Sequence, residues 1–207
     1  MGTTLAIIGS GNIGGTLAKL AVNAGYEVLL ANSRGPESLQ ATIDSLGPTS
    51  CAATVEEACA RGDLVIEAIP FGRVPNLPSA AIGEKVLVTA ANYYPERDGK
   101  IDLGGVSHSE WVARHFPGAC IVKAFNTIWF KHLASQGDTS QPQDARRFIS
   151  VASDDAAARA PVLHLVDRLG FGGLELPTLA AASPRFEPGG ELYNVDLTLA
   201  EAQARLA

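Results

Sequence analysis

Leu5-Ala-Ile-Ile8, followed at once by Gly9-Ser-Gly-Asn-Ile-Gly14 and Gly15, is the stretch that decides the fold. Four apolar residues without polar alternation read as a strand covered on both faces. Behind the glycines, Ile13, Leu17, Leu20, Ala21 and Ala24 recur at helical spacing, and Gly25 is a natural helix stop. A GxGxxG alone is weak; placed between a strand and a helix it is the dinucleotide-binding context. Gly9 permits the tight turn, Gly11 lets the backbone approach a pyrophosphate, and Gly14 lets the helix pack close to the strand. The helix start then presents free N–H groups to phosphate oxygens. The competing reading is a glycine-rich turn without a ligand.

Outward from that motif, short apolar runs alternate with segments of helical period. The runs are Leu5–Ile8, Glu27–Ala31, Leu64–Ile69, Lys85–Thr89, Cys120–Phe125 and Phe148–Ala152. Helices are expected after Pro36, over Val55–Ala60, over His108–His115, over Asp154–Leu169 and over about Leu197–Leu206. Pro161 falls inside the fourth of these, so that helix starts late or kinks. Gly137–Gln143 and Ser183–Gly190 read as loops. The alternation implies βαβ units with right-handed crossovers. The expected class is α/β, a doubly wound, mostly parallel sheet of the Rossmann type with a small C-terminal α/β extension. Residues 1–207 are read as a single NAD(P)-binding domain, with 130–207 as a smaller subregion.

Composition narrows the function. The chain has 207 residues, 46% hydrophobic and 18% charged, enough for a real core. A net charge of −6 argues against nucleic-acid binding, which needs a basic face. Three cysteines without CxxC spacing suggest neither a disulfide framework nor a zinc site, and a reducing cytoplasm is the expectation. No run reaches the roughly 18 apolar residues of a spanning helix, so no membrane role is expected. The N-terminus lacks the basic start of a signal peptide.

The end of the second run chooses between cofactors. An Asp or Glu there bonds the ribose 2′-OH of NAD. Here the chain reads Ala31-Asn32-Ser33-Arg34, with no carboxylate before Glu37. Ser33 offers a hydroxyl and Arg34 a planar cation suited to a 2′-phosphate, so NADP is favoured. The plainer alternative makes Arg34 a solvated loop residue and Ser33 a helix cap.

With these residues in view, the chain resembles the coenzyme F420-dependent NADP reductase family. The resemblance is carried by the glycine loop with Asn32-Ser33-Arg34, by Ala68-Ile69-Pro70-Phe71, by Val122-Lys-Ala-Phe-Asn-Thr127, and by Ser153-Asp-Asp, Leu169-Gly-Phe171 and Phe186-Glu-Pro188. It runs over nearly the whole chain. It implies NADP along the sheet edge and a deazaflavin stacked on the nicotinamide in the cleft. Ser33 and Arg34 would hold the 2′-phosphate, Ser10, Asn12 and Ile13 the pyrophosphate, and Ile69, Pro70 and Phe71 the ribose and nicotinamide side. Related ferric reductase domains use the same fold with a flavin, so FMN or FAD stands beside F420 as second substrate.

Beyond the strand ends, the residues set to meet the cofactor are Ala91 and Asn92. Those set to meet a second substrate are Tyr93 and Tyr94 after the fifth run and Asn126, Thr127 and Trp129 after the sixth. Asn92 and Asn126 suit a carboxamide or a flavin edge, and equally suit local turns. Trp129 and Phe130 suit a planar ring, though core packing is the commoner role. Tyr193 suits the cleft or a partner subunit. Hydride transfer between two rings needs orientation more than a side-chain base, and no catalytic residue is assigned. His108, His115, His132 and His164 show no ligand spacing, so no metal is expected, and His164 reads as a packed histidine. Lys123 lies in a buried strand, where an ion pair is the simpler role and catalysis the sharper one. The chain is thus expected to be an NADP-dependent oxidoreductase that transfers hydride between NADPH and F420 or a flavin and works as a homodimer. The alternatives are an NADPH-dependent reductase of a small imine or ketone, and a non-catalytic NADP-binding redox sensor.

Overall fold

The computed structural model describes residues 2–182 and 184–207. Among them, eight strands form one sheet in the order β3-β2-β1-β4-β5-β6-β7-β8. The strands β1 (Thr4–Ile8), β2 (Glu27–Ala31), β3 (Ser50–Ala52), β4 (Leu64–Glu67), β5 (Val86–Thr89) and β6 (Cys120–Ala124) pair in parallel. β7 (Phe148–Ala152) joins β6 antiparallel, and β8 (Gly172–Leu176) runs parallel to β7. The expected α/β class with a mostly parallel sheet is therefore what the chain forms.

The helices are α1 (Asn12–Asn23), α2 (Gln40–Leu46), α3 (Val55–Arg61), α4 (Ser79–Ile82), α5 (Pro95–Asp98), α6 (His108–His115), α7 (Phe130–Ser135), α8 (Ala156–Arg168) and α9 (Leu199–Leu206). They cover both faces of the sheet. Leu5 and Ile7 pack with Leu17, Ala21 and Leu165 on one face. Ala6 and Ile8 pack with Ala58, Val74 and Val112 on the other. Residues alternate sides along a strand, so a stretch buried on both faces must be apolar at every position, as β1 is from Leu5 to Ile8. Each such leucine or isoleucine stabilises the fold by roughly 1.5–3 kcal/mol.

Several boundaries differ from the sequence reading for physical reasons. The run expected to end at Phe125 stops at Ala124, because Phe125 takes φ 62°, which no ladder continues. The run expected to end at Ile69 stops at Glu67, where the chain turns into the cleft. After Pro36 the chain forms a 3₁₀ turn over Pro36–Leu39 before α2. The long helix begins at Ala156, with Asp155 accepting from the Ala157 and Ala158 N–H groups at 2.7 and 3.3 Å, and it passes through Pro161. His164, read as packed, is exposed on that helix. The strands β3 and β8 escape a sequence reading because one has three residues and the other opens on two glycines. The loop expected over Ser183–Gly190 is found from Pro184 onward; Ser183 lies outside the described residues.

Candidate functional site

The chain order places β1 and β4 side by side while β2 lies on the far side of β1, so the crossovers on either side of that junction diverge and leave a crevice at the strands' carboxyl ends. Two adjoining hollows occupy it. The first, about 800 Å3, is lined by Gly9, Ser10, Gly11, Asn32, Ser33, Arg34, Arg73 and others. The second, about 490 Å3, is lined by Asn12, Ile13, Ala91, Asn92, Asn126, Trp129 and others. Ala68, Ile69 and Pro70 border both, so the two are halves of one cleft.

The first half has the build of a phosphate site. Gly9 takes φ 115°, and a Cβ there would lie 2.4 Å from the Ala68 carbonyl oxygen. A Cβ on Gly14 would lie 1.8 Å from the Gly9 carbonyl oxygen, so only glycine lets α1 sit against the turn. At Gly11, by contrast, a Cβ would meet nothing within 4 Å. The close approach there is to open space, the room a pyrophosphate needs. Gly11 is also the N-cap of α1 and supplies no side-chain cap, and the first turn holds no acid. The helix thus keeps its leading N–H groups and positive end for an anion.

Asn32 fixes the second strand end. Its amide nitrogen donates to the Ser10 and Ser38 hydroxyls at 3.2 and 3.0 Å, and its oxygen accepts from the Arg34 N–H at 2.8 Å. This ties the glycine loop to the Ser33–Arg34 turn. Ser33 and Arg34 are exposed and border the hollow, so neither is spent on helix capping. Arg73 borders the same hollow as a second exposed cation, a residue that no sequence signal marked. Phe71 lies elsewhere: it is fully buried and packs its ring 4.7 Å from Trp111 and 5.5 Å from Tyr93.

The second half is built from loops distant in sequence. Asn92 donates to the Asn126 carbonyl at 2.8 Å, and the Asn126 amide donates to Asn92 Oδ1 and the Phe186 carbonyl at 3.2 and 2.9 Å. Both Asn126 amide protons are thereby used, and its buried Oδ1 has no partner. Trp129, placed from sequence at the second-substrate site with core packing as the alternative, is 44% exposed and stands at the rim with Phe130 beside it. Its backbone N–H donates to Asn194 Oδ1 at 3.1 Å. Thr127 is buried and borders neither hollow; its carbonyl accepts from the Asn194 N–H at 3.0 Å. Tyr94, Arg97 and Tyr193 complete the wall; Tyr94 and Tyr193 were expected from sequence and Arg97 was not, while Tyr93 packs instead on the buried Phe71 ring. The Tyr94 and Tyr193 hydroxyls are hydrogen-bonded to each other. Burial foremost, and then Tyr94, push the Tyr193 phenol well above its usual range.

Under this floor lies a buried charged group. Glu67 accepts from the Thr89 hydroxyl and, at 3.4 Å, from the Ile69 N–H, and Lys123 donates to the Ala91 carbonyl. Both are fully buried. Burial drives the Glu67 carboxyl up and the Lys123 ammonium down; each opposes the other's shift through its charge. Glu187 also faces Lys123 and accepts from the His108 N–H at 2.9 Å. Burial holds His108 below its ordinary range, with Glu187 opposing that shift and Lys123 adding to it. Lys123 thus takes the structural role weighed from sequence, with its ammonium anchoring the backbone at Ala91. No helix among the described residues is long and apolar enough to cross a membrane.

A glycine-loop cleft at the switch point of such a sheet has the form of a dinucleotide-binding Rossmann site. Residues 4–93 match the family model described as NADP oxidoreductase, coenzyme F420-dependent, and over that span the chain is similar to this family. The later motifs, from Val122 onward, lie outside the matched span. A hypothetical protein of Sinorhizobium meliloti is 34% identical with a TM-score of 0.84, covering 95% of each chain. A protein of Arthrobacter sp. FB24, provisionally described as an F420-dependent NADP reductase, is 25% identical with a TM-score of 0.72, covering 86% of each. The metalloreductase STEAP3 of Rattus norvegicus is 27% identical over 86% of this chain and 34% of its own length. The chain therefore spans about a third of the curated relatives it matches.

Proposed function

We propose that the protein passes hydride between NADPH and a planar ring acceptor, coenzyme F420 or a flavin. The observation that carries this reading is the continuous cleft, with a phosphate cradle at one end and an aromatic-walled chamber at the other, joined across Ala68–Pro70. Bound there, the dinucleotide supplies a hydride at its nicotinamide. The chain's own residues bind and orient. The Gly9–Gly14 turn and the start of α1 take the pyrophosphate, with Ser10, Asn12 and Ile13 along it. Ser33 and Arg34 take the 2′-phosphate, and Arg73 adds charge on the same hollow. Ile69, Pro70, Ala91 and Asn92 border the nicotinamide side. Asn126 offers its unpartnered oxygen to a ring N–H, and Trp129 gives the acceptor a flat wall; Thr127 acts through the backbone. We also infer a cytoplasmic homodimer, which light scattering would check by returning twice the monomer mass.

The test is anaerobic NADPH oxidation followed spectroscopically with F420 and, separately, with FMN. Reduction of either supports the reading and names the acceptor. NADPH binding without reduction of either contradicts it.

A further inference from the structure

We propose that Tyr94 is the proton donor to the acceptor, with Tyr193 and Arg97 holding it for that role. This rests on the hydride-transfer reading and adds a catalytic residue to it.

Hydride addition to a ring acceptor leaves a pair of electrons on a ring heteroatom, and that atom needs a proton. Among the described residues lining the chamber there is no carboxyl, histidine, lysine or cysteine. Arg97 lines it but does not give up a proton in a protein. The hydroxyls in the lining are those of Tyr94 and Tyr193. The Tyr94 and Tyr193 hydroxyls share one hydrogen bond in which either can donate, and the proposed role uses the arrangement in which Tyr193 donates to the Tyr94 oxygen. The Tyr94 proton is then left over for the chamber. A chain of donors aligned in this way polarises each next bond.

The surroundings also stabilise what is left behind. Arg97 holds its guanidinium carbon 5.0 Å from the centre of the Tyr94 ring. It is fixed there by Asp98 at 2.8 Å and by the Asn92 carbonyl at 2.7 Å. In the step, the C4–H bond of the reduced nicotinamide breaks and a C–H or N–H bond forms on the acceptor, which is reduced as NADPH is oxidised. The Tyr94 O–H bond breaks, and its proton goes to the acceptor heteroatom. The phenolate, held by the Tyr193 O–H beneath the Arg97 cation, regains a proton from solvent. The plainer role for the pair is a clasp fastening the segment around Tyr193 onto the loop after β5.

Tyr94→Phe and Tyr193→Phe keep both rings and separate these roles. NADPH binding, read by fluorescence, is expected unchanged in both. Binding of FMN and of F420 without NADPH should weaken several-fold in Tyr94→Phe. Single turnover with whichever is reduced should fall roughly 100-fold in Tyr94→Phe, the scale of general acid catalysis, and its solvent deuterium isotope effect should vanish. Tyr193→Phe should lose less and keep the isotope effect. Turnover and isotope effect that survive in Tyr94→Phe overturn the proposal and leave a clasp. If the wild-type protein reduces neither F420 nor FMN, the ring-acceptor reading fails, and 2-methyl-1-pyrroline serves as a third acceptor. Tyr94-dependent reduction of that imine keeps the proton donor; reduction independent of Tyr94, or of none of the three, overturns it.

Discussion

The phosphate end of the cleft is formed by residues 9–14 and 32–34, at the ends of two adjacent strands, with its conformation written into glycines and a short turn. The acceptor end draws Tyr94 from one loop and Tyr193 from another, 99 positions later, and rests on charges buried under it. The first is local chemistry on rigid strand ends; the second exists only once the chain has folded. The two ends should therefore fail differently when perturbed.

The largest expected effect is beneath the acceptor end. Lys123→Met removes the ammonium that faces Glu67 and Glu187, leaving buried carboxyls without compensation. A loss of about 3–5 kcal/mol of folding stability is expected, measured by urea unfolding. An unchanged midpoint would mean that the group is neutral in the folded protein. At the phosphate end, Gly14→Ala forces a Cβ into the Gly9 carbonyl. It should cost up to about 3 kcal/mol of stability and abolish NADPH binding as α1 is pushed from the turn. Binding that persists would show that the loop relaxes freely. Arg34→Ala should weaken NADPH binding by roughly 1.5–3 kcal/mol while sparing NADH, as calorimetry would show. Equal loss for both cofactors removes the 2′-phosphate role.

The smallest effect concerns pH. The folded protein holds His108 below its ordinary value, so the unfolded chain binds that proton more readily. The stability contributed by neutral His108 is full above the unfolded value near 6.5 and is lost as pH falls through the lower folded value. Melting temperature should drop on acidification below about pH 6.5, and His108→Gln should flatten that drop. Glu187 and Lys123 face the ring, so a steeper fall in the variant would assign the slope to them instead.

The same contrast explains what the sequence revealed. β1, the glycine turn and α1 are legible because periodicity and glycine placement are local signals. Asn32, Ser33 and Arg34 were legible because they follow a strand end of known role. Phe71 was misjudged because a motif residue beside a cleft can turn inward, here onto Trp111. Trp129 was left between a ring wall and core packing, since an aromatic pair gives no sign of which side solvent lies; it stands exposed at the cleft rim. Tyr94 was legible as a residue just past a strand end, but Arg73 and Arg97 carry no local signal, and their place comes from the fold bringing Tyr193 and the strand ends together. The buried Glu67 reads as an ordinary strand terminus until Thr89 and Lys123 are seen beside it.

The central claim is that one cleft places a nicotinamide against a second ring for direct transfer. The most direct measurement is single turnover with NADPH deuterated at the transferred C4 position and F420 or FMN in excess, under anaerobic conditions. A primary kinetic isotope effect, with deuterium recovered at C5 of reduced F420 where that is the acceptor, is the result expected. NADPH that binds tightly yet transfers neither deuterium nor electrons to either ring would contradict it.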